Sequence, residues 1–316
     1  MTSVERILVT GANGFVGRAL CAAAVAAGME VRAATRGVSV SIAGVTSAMI
    51  GDVDGETTWG RVLADCDAVV HLAARVHVMV ESAQDPLTEF RRVNVVGTLN
   101  LARQAAYAGV QRFIYMSSIK VNGEGTVPGR PFDASDVPHP MDPYAVSKLE
   151  AELGLQAIAR ETGMQVVIIR PPLVYGPGVK ANFATMMRWV NYGVPLPLGA
   201  IRNQRSLVAL DNLVDFTIAC LTHPAAANEI FLVSDGVDVS TTELLQRMGR
   251  AIGRPTRLLP IPVKCLQWLA SLFGKQEVMR RLCDNLQVDI GKNRQLMQWT
   301  PPLNLDQGLE KIVAGA

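Results

Sequence analysis

Two short stretches of the chain carry residue types whose spacing suits chemistry. In Tyr144-Ala145-Val146-Ser147-Lys148 a phenol and an ammonium stand four residues apart, so on a helix they share one face. An ammonium beside a phenol stabilises the phenolate and lowers its pKa toward working pH. Such a tyrosine can pass a proton to or from a substrate oxygen. Tyr-x-x-x-Lys alone is common and is more often a solvent-facing pair. Here it has company: Ser117-Ser118 follows the apolar run Phe113-Ile114-Tyr115-Met116, which sets hydroxyls at a strand end. Turn capping is the ordinary use of such serines, and for one of the two it suffices.

The second stretch is Val9-Thr10-Gly11-Ala12-Asn13-Gly14-Phe15-Val16-Gly17. It follows the apolar run Ile7-Leu8-Val9 and leads into an Ala-rich helical pattern from Arg18 to Gly28. Strand, glycine turn and helix in that order make an anion site, because backbone N–H groups and the positive helix end meet a phosphate that no side chain obstructs. The spacing Gly-x-x-Gly-x-x-Gly differs from the commoner dinucleotide fingerprint Gly-x-Gly-x-x-Gly. Glycines also serve ordinary turns, so it is the strand before and the helix after that point to nucleotide binding by Gly11, Asn13, Gly14, Phe15, Val16 and Gly17.

Alternating patterns position these residues. Strands are predicted at 7–10, 30–34, 68–72, 112–117 and 165–170, with helices at 17–27, 88–108 and 144–162 between them. Near-continuous apolar strands such as Val166-Val167-Ile168-Ile169 indicate burial on both faces, as in parallel sheets. The expected class is α/β: a Rossmann-type doubly wound parallel sheet with a smaller mixed C-terminal substrate-binding region. Residues 1–170 form the expected dinucleotide-binding domain, with a return strand near 207–235 centred on 230–233. After Arg170, Pro171, Pro172, Pro177, Pro195 and Pro197 crowd together with Gly176, Gly178 and Gly199. Residues 171–206 and 236–316 are therefore expected to cover the sheet's carboxyl edge, where ligands bind in such folds.

The chain has 316 residues, a net charge of +2 and 18% charged residues, which gives no general attraction for nucleic acid. Hydrophobic residues make up 49%, yet no apolar run approaches the roughly 20 residues of a membrane span. Residues 263–273, with Leu266, Trp268, Leu269, Leu272 and Phe273, read as a core-packed helix or a lid rather than a membrane contact. Met1 to Arg6 run directly into the first strand, so no signal peptide is expected. Cysteines 21, 66, 220, 265 and 283 are scattered, consistent with a reduced, cytoplasmic protein, and the four dispersed histidines argue against a metal site.

Taken together the motifs resemble the extended short-chain dehydrogenase/reductases of the nucleotide-sugar epimerase and dehydratase group. The resemblance rests on Gly11/Gly14/Gly17, Asp52 in Gly51-Asp52-Val53, His71-Leu72-Ala73-Ala74 and Asn94 in Val93-Asn94-Val95-Val96-Gly97-Thr98. It continues through Ser118, Tyr144/Lys148, Arg170-Pro171-Pro172-Leu173-Val174-Tyr175-Gly176-Pro177-Gly178 and Gln298-Trp299-Thr300-Pro301, so it spans nearly the whole chain. It implies Tyr144 as acid/base, Lys148 on the nicotinamide ribose and Ser118 hydrogen-bonded to the reacting oxygen. It also implies that Asp52, with Val53 beside it, holds the adenine, that Leu72, Ala73, Ala74 and Pro171 line the cofactor groove, and that Asn94 supports the catalytic region. A homodimer through the helices near 94–108 and 144–160 is a further implication.

Three departures narrow the reaction. Ile119 and Lys120 stand where the 4,6-dehydratases carry an Asp-Glu pair, so elimination chemistry is not expected. The second strand ends in Val31-Arg32-Ala33-Ala34-Thr35-Arg36 with no acid for a ribose 2′-hydroxyl, and Arg36 is placed to meet a 2′-phosphate or else lies in solvent. Asn122 replaces a tyrosine common in epimerases, and no chemistry follows from that at the level of sequence. Arg36 favours NADP(H), with NAD(H) as the other option. The resemblance then points to NAD(P)H-dependent reduction of the 4-keto group of a UDP-linked 6-deoxy-N-acetylhexosamine, giving UDP-N-acetylquinovosamine or its 4-epimer for surface polysaccharide. The alternative is a UDP-sugar 4-epimerase with bound NAD; a non-catalytic dinucleotide sensor would usually lack Tyr144 and Lys148. For the UDP-sugar, Arg205, Asn182 and Arg281 (or its neighbour Arg280) are expected at the nucleotide end, and Val76 and His77 near the sugar. A packing or hydrogen-bonding role suits His77 better than that of a second acid.

Overall fold

A computed structural model of the chain describes residues 4–76 and 85–315. Among the described residues nine strands form two sheets: β1 Arg6–Thr10, β2 Glu30–Thr35, β3 Val45–Met49, β4 Ala68–His71, β5 Arg112–Met116, β6 Gln165–Arg170, β7 Leu173–Tyr175, β8 Leu207–Ala209 and β9 Ile230–Leu232. Seven of them form one parallel sheet in the order β3-β2-β1-β4-β5-β6-β9, and β7 pairs with β8 in a small parallel sheet beyond its edge. This is the doubly wound Rossmann-type α/β fold that the apolar runs predict. The strand order reverses between β1 and β4, and at such a switch point the carboxyl ends of the strands leave a crevice for a ligand.

Both sheet faces are covered. On one, Leu20, Cys21 and Ala24 of the helix Phe15–Ala26 and Leu213 and Phe216 of the helix Leu210–Thr222 bury Val9, Val70 and Ile169. On the other, Leu101 and Ala105 of the helix Thr98–Tyr107 and Ala151 and Leu155 of the helix Pro143–Thr162 pack on Val69, Phe113 and Val166. A third apolar cluster, with Tyr175, Phe183, Leu196, Leu245 and Leu309, lies outside the main sheet in the C-terminal half.

Local signals explain most boundaries. The helix Pro143–Thr162 starts where the Asp142 carboxylate accepts the Ala145 N–H at 2.7 Å and Pro143 fills the first turn, and it stops at Gly163 in left-handed backbone. The predicted helix 88–108 is instead three pieces: Pro86–Phe90, a π-helical stretch Arg91–Gly97 and Thr98–Tyr107. The strand β3, Val-Thr-Ser-Ala-Met at the sheet edge, lacks an apolar run, which is why the pattern of the sequence does not reveal it. The segment 263–273, expected as a core-packed helix or a lid, is helical over Val263–Leu272 and packs on the core through one face only, with Leu266 and Ala270 buried.

Candidate functional site

The glycine turn lies at the switch point. Gly11 has φ +67°, and a Cβ there would lie 2.8 Å from the Ala73 nitrogen and 2.9 Å from the Leu72 carbonyl carbon. A Cβ at Gly17 would fall 2.2 Å from the Gly11 carbonyl oxygen. Turn, strand end and helix therefore meet backbone to backbone, which glycine alone permits. Gly14 caps the helix Phe15–Ala26 without any side-chain hydrogen bond, so the first-turn N–H groups are left for an anion. These features fit the diphosphate of a dinucleotide. Around them, Asn13 donates to the Val38 carbonyl at 2.7 Å, the Ala73 N–H reaches the Thr10 hydroxyl at 3.2 Å, and the Val53 carbonyl abuts Gly97. Phe15 and Val16 are half-buried against the core below.

At the far end of this groove Arg36 and Asp52 pair with each other at 3.6 Å, both largely exposed. The guanidinium expected to receive a 2′-phosphate thus has a carboxylate beside it, which attracts the guanidinium and would repel that phosphate. Arg32 is directed elsewhere, donating to the Val62 and Ala64 carbonyls at 2.8 and 2.9 Å.

The strand end of β5 and the helix Pro143–Thr162 bring Ser118, Tyr144 and Lys148 together. Lys148 is buried, donates to the Met116 carbonyl at 2.8 Å, and lies 4.5 Å from the Tyr115 ring centre and 5.9 Å from that of Tyr144. Burial lowers the Lys148 ammonium to about 7, opposed by the Glu152 carboxylate one turn along. Burial also pushes the Tyr144 phenol up to about 12, reinforced by Asp142 and opposed by a hydrogen bond from Ser118. The expected lowering of the phenol by Lys148 is therefore not met in this arrangement: the ammonium is engaged with a carbonyl and desolvation dominates. A neutral phenol held beside a hydroxyl is equipped to donate a proton to an alkoxide. Asn94, in the π-helical stretch, is buried; its amide accepts the Arg75 N–H at 2.8 Å and donates to the Arg75 carbonyl and the Ser147 hydroxyl, both at 3.0 Å. It ties the loop after β4 to the helix that carries Tyr144 and Lys148. A π turn often marks such a functional position.

Beneath these residues lies a buried polar cluster that sequence reasoning missed. Arg170, 2% exposed, forks onto Glu152 with contacts of 2.5, 3.0 and 3.2 Å, and donates to the Asn122 carbonyl oxygen at 2.9 Å. Ser117 also donates to Glu152, and Asn122 donates to the Asp133 carbonyl at 3.0 Å. Asn122 thereby acquires a role: it satisfies the third arm of a buried guanidinium. The signal was present in Arg170, a charge at the end of an apolar strand, which when buried requires a carboxylate.

Ser118, Tyr144, Pro171, Asn182, Arg205 and Arg281 all line one cleft of about 910 Å³, as does Arg280. Arg205 donates to the Asp284 carbonyl at 3.0 Å, and Arg281 pairs with Glu277 at 3.2 Å. The sequence did not single out Asp142, Phe183, Trp189 or Leu244, which complete the walls. Lys120, where dehydratases carry a carboxylic acid, bridges Asp142 at 2.6 Å and Glu124 at 3.0 Å. Val76, expected near the sugar, is 60% exposed and is not among the described residues that line the cleft. His77 lies outside the described residues.

Comparison with known proteins agrees with this geometry. Residues 7–234 match the NAD dependent epimerase/dehydratase family. A UDP-glucose 4-epimerase of Vibrio cholerae is 47% identical over 97% of this chain and 94% of its own length. An Escherichia coli O157:H7 4-epimerase of N-acetyl-α-D-glucosaminyl-diphospho-ditrans,octacis-undecaprenol is 28% identical over 98% and 94%. Among solved structures, the UDP-glucose 4-epimerase of Thermotoga maritima with UDP-glucose superposes with a TM-score of 0.78 at 22% identity, covering 98% of each chain. The chain belongs to the NAD dependent epimerase/dehydratase family, within the extended short-chain dehydrogenase/reductases that its motifs resemble.

Proposed function

We propose that the protein interconverts the C4 epimers of a UDP-sugar with a retained NAD. The observation that carries this reading is the Ser118–Tyr144–Lys148 cluster opening onto a cleft large enough for a sugar nucleotide, in a chain 47% identical to a UDP-glucose 4-epimerase over nearly its whole length. NAD at the glycine turn would supply a hydride acceptor at C4 and return the hydride later. As a phenolate, favoured over the effect of burial by a charged Lys148 and by the positive nicotinamide of a bound NAD, Tyr144 would take the proton of the 4-hydroxyl, and as the neutral phenol give it back, while Ser118 holds the same oxygen in place. Lys148 orients the nicotinamide ribose and, when charged, stabilises the phenolate. Arg205, Asn182 and Arg281 anchor the diphosphate end. Inversion would require hydride return to the opposite ring face, so the sugar would turn while its diphosphate stays anchored. The Arg36–Asp52 pair favours NAD, because the carboxylate stands where a 2′-phosphate would be repelled.

The 4-keto reductase expected from Arg36 and from the resemblance of residues 71–78 and 170–178 to 4-keto reductases is less well supported, since Arg36 lies 3.6 Å from Asp52 and the relative of 47% identity is a 4-epimerase. Exposed Val96, Tyr107 and Leu153 on the helices beside the site support a homodimer through those helices, which sedimentation tests directly. To test the reaction, the purified protein is mixed with UDP-glucose or UDP-N-acetylglucosamine without added coenzyme, and products are separated by chromatography. The 4-epimer forms with wild type and not with Tyr144→Phe. Absence of interconversion, with consumption of NADPH on a UDP-4-keto-6-deoxy sugar, would replace this reading by the reductase.

A further inference from the structure

The helix Val263–Leu272 buries Leu266 and Ala270, rests Val263 on the core and turns Trp268, Leu269 and Leu272 outward. Trp268 is 63% exposed, Leu269 44%, Leu272 62% and Phe273 73%. Trp268 and Leu272, one turn apart, share the face opposite the buried pair. The next helix, Gln276–Cys283, packs against it and carries Val278, 48% exposed, at the cleft. Soluble surfaces rarely gather large apolar side chains this way without a partner.

The sequence around this patch is cationic, and Arg280 and Arg281 of it also line the cleft. Between residues 254 and 283 stand Arg254, Arg257, Lys264, Lys275, Arg280 and Arg281, against the single acid Glu277. An amphipathic helix with an outward tryptophan, flanked by lysine and arginine, has the composition that seats in the headgroup layer of an anionic bilayer. A second copy of the chain suits it poorly, because a two-fold contact would oppose the same basic side chains. No helix among the described residues is long and apolar enough to cross a membrane, so the contact would be peripheral. The location is specific: Glu277, Val278, Arg280, Arg281 and Leu282 of the second helix also form the rim of the substrate cleft.

We propose that the paired helices Val263–Leu272 and Gln276–Cys283 form a docking face for an anionic phospholipid surface, placing the mouth of the cleft beside the membrane. The proposal does not depend on which sugar reaction the cleft performs.

Flotation of the full chain with phosphatidylcholine vesicles, and with vesicles of equal phosphatidylcholine and phosphatidylglycerol, tests it. The protein floats with the anionic vesicles and is released by salt. Combined Trp268→Ser, Leu272→Ser and Phe273→Ser substitution lowers partitioning by about tenfold or more, while conversion of a water-soluble substrate and the folded circular dichroism spectrum stay unchanged. Combined Lys264→Gln and Lys275→Gln substitution weakens binding to anionic vesicles by at least about tenfold at low salt. The proposal is overturned if wild type stays in the dense fraction with both vesicle types, or if the triple variant floats as well as wild type. It is also overturned if the triple variant changes only the oligomeric state in sedimentation, which would make a second copy the occupant.

Discussion

Replacing Gly17 by alanine sets two effects of opposite sign against each other. Gly17 lies inside the helix Phe15–Ala26, where alanine is the better helix former by about 1 kcal/mol. The added methyl would sit 2.2 Å from the Gly11 carbonyl oxygen and 2.7 Å from the Ala12 Cα, whereas real Cβ contacts essentially never fall below 3.0 Å. The obstacles are backbone atoms of the phosphate turn, so no rotamer change relieves them. Opening a gap of nearly an ångström costs about 1–3 kcal/mol by the measure of overpacked cores, at or above the upper end when both walls are backbone. Overpacking wins: Gly17→Ala should lower stability by roughly 1–2 kcal/mol. By spreading the Gly11–Gly14 turn it should also weaken NAD binding by about tenfold, or 1.4 kcal/mol. Gly60→Ala is the control, because a Cβ there meets no heavy atom within 4 Å and only the propensity gain remains. Urea unfolding and calorimetric NAD titration of the three proteins provide the comparison. Gly17→Ala protein as stable as Gly60→Ala protein, with wild-type affinity for NAD, would refute the reasoning.

Three other substitutions bear on the site. Tyr144→Phe should reduce turnover by about 10²–10⁴-fold while leaving UDP-sugar binding near wild type, as single-turnover kinetics and equilibrium titration would show; a loss in binding alone would remove Tyr144 from proton transfer. Glu152→Gln leaves the Arg170 guanidinium buried without its counter-charge and should cost about 3–5 kcal/mol in urea unfolding. A change below about 1 kcal/mol would mean that the pair is solvated. His71 is held neutral between the Thr10 and Thr98 hydroxyls at 2.7 and 2.9 Å, and burial, helped by the Lys148 charge, lowers it to about 3. The unfolded chain therefore binds a proton near pH 6.5 that the folded one refuses until about pH 3, so stability falls as pH drops through that window, by up to about 1.4 kcal/mol per unit. His71→Gln should flatten this part of the urea-midpoint profile, and parallel profiles for the two proteins would contradict the buried neutral imidazole.

What the sequence made legible were the features written in local pattern. The strands β1, β2, β4, β5, β6 and β9 fall within a residue or so of their apolar runs, and the glycine spacing locates the turn at the sheet's switch point. Ser118, Tyr144 and Lys148 come together because a strand end and a helix face can be read independently and both point to one edge. Features that depend on contacts between distant segments stayed hidden. The π-helical stretch at Arg91–Gly97 has the same apolar spacing as an α-helix on a coarse reading, yet it is what turns Asn94 toward Ser147. The partner of Arg170 is 18 residues away on a helix otherwise read only for its Tyr-Lys pair. Arg36 looked available to a phosphate because Asp52, beyond the next strand, is not its neighbour in sequence. The rise of the Tyr144 phenol is likewise a property of burial, which spacing does not report.

The most direct test of retained-coenzyme epimerisation uses UDP-glucose deuterated at C4, incubated with the purified protein in ordinary water without added NAD. The hydride removed from C4 has no exchange with solvent and returns to the same carbon, so mass spectrometry should find UDP-galactose with the deuterium retained at C4. Product that has lost the label to solvent, or no product while NAD(P)H is consumed with a 4-keto sugar, would contradict the account.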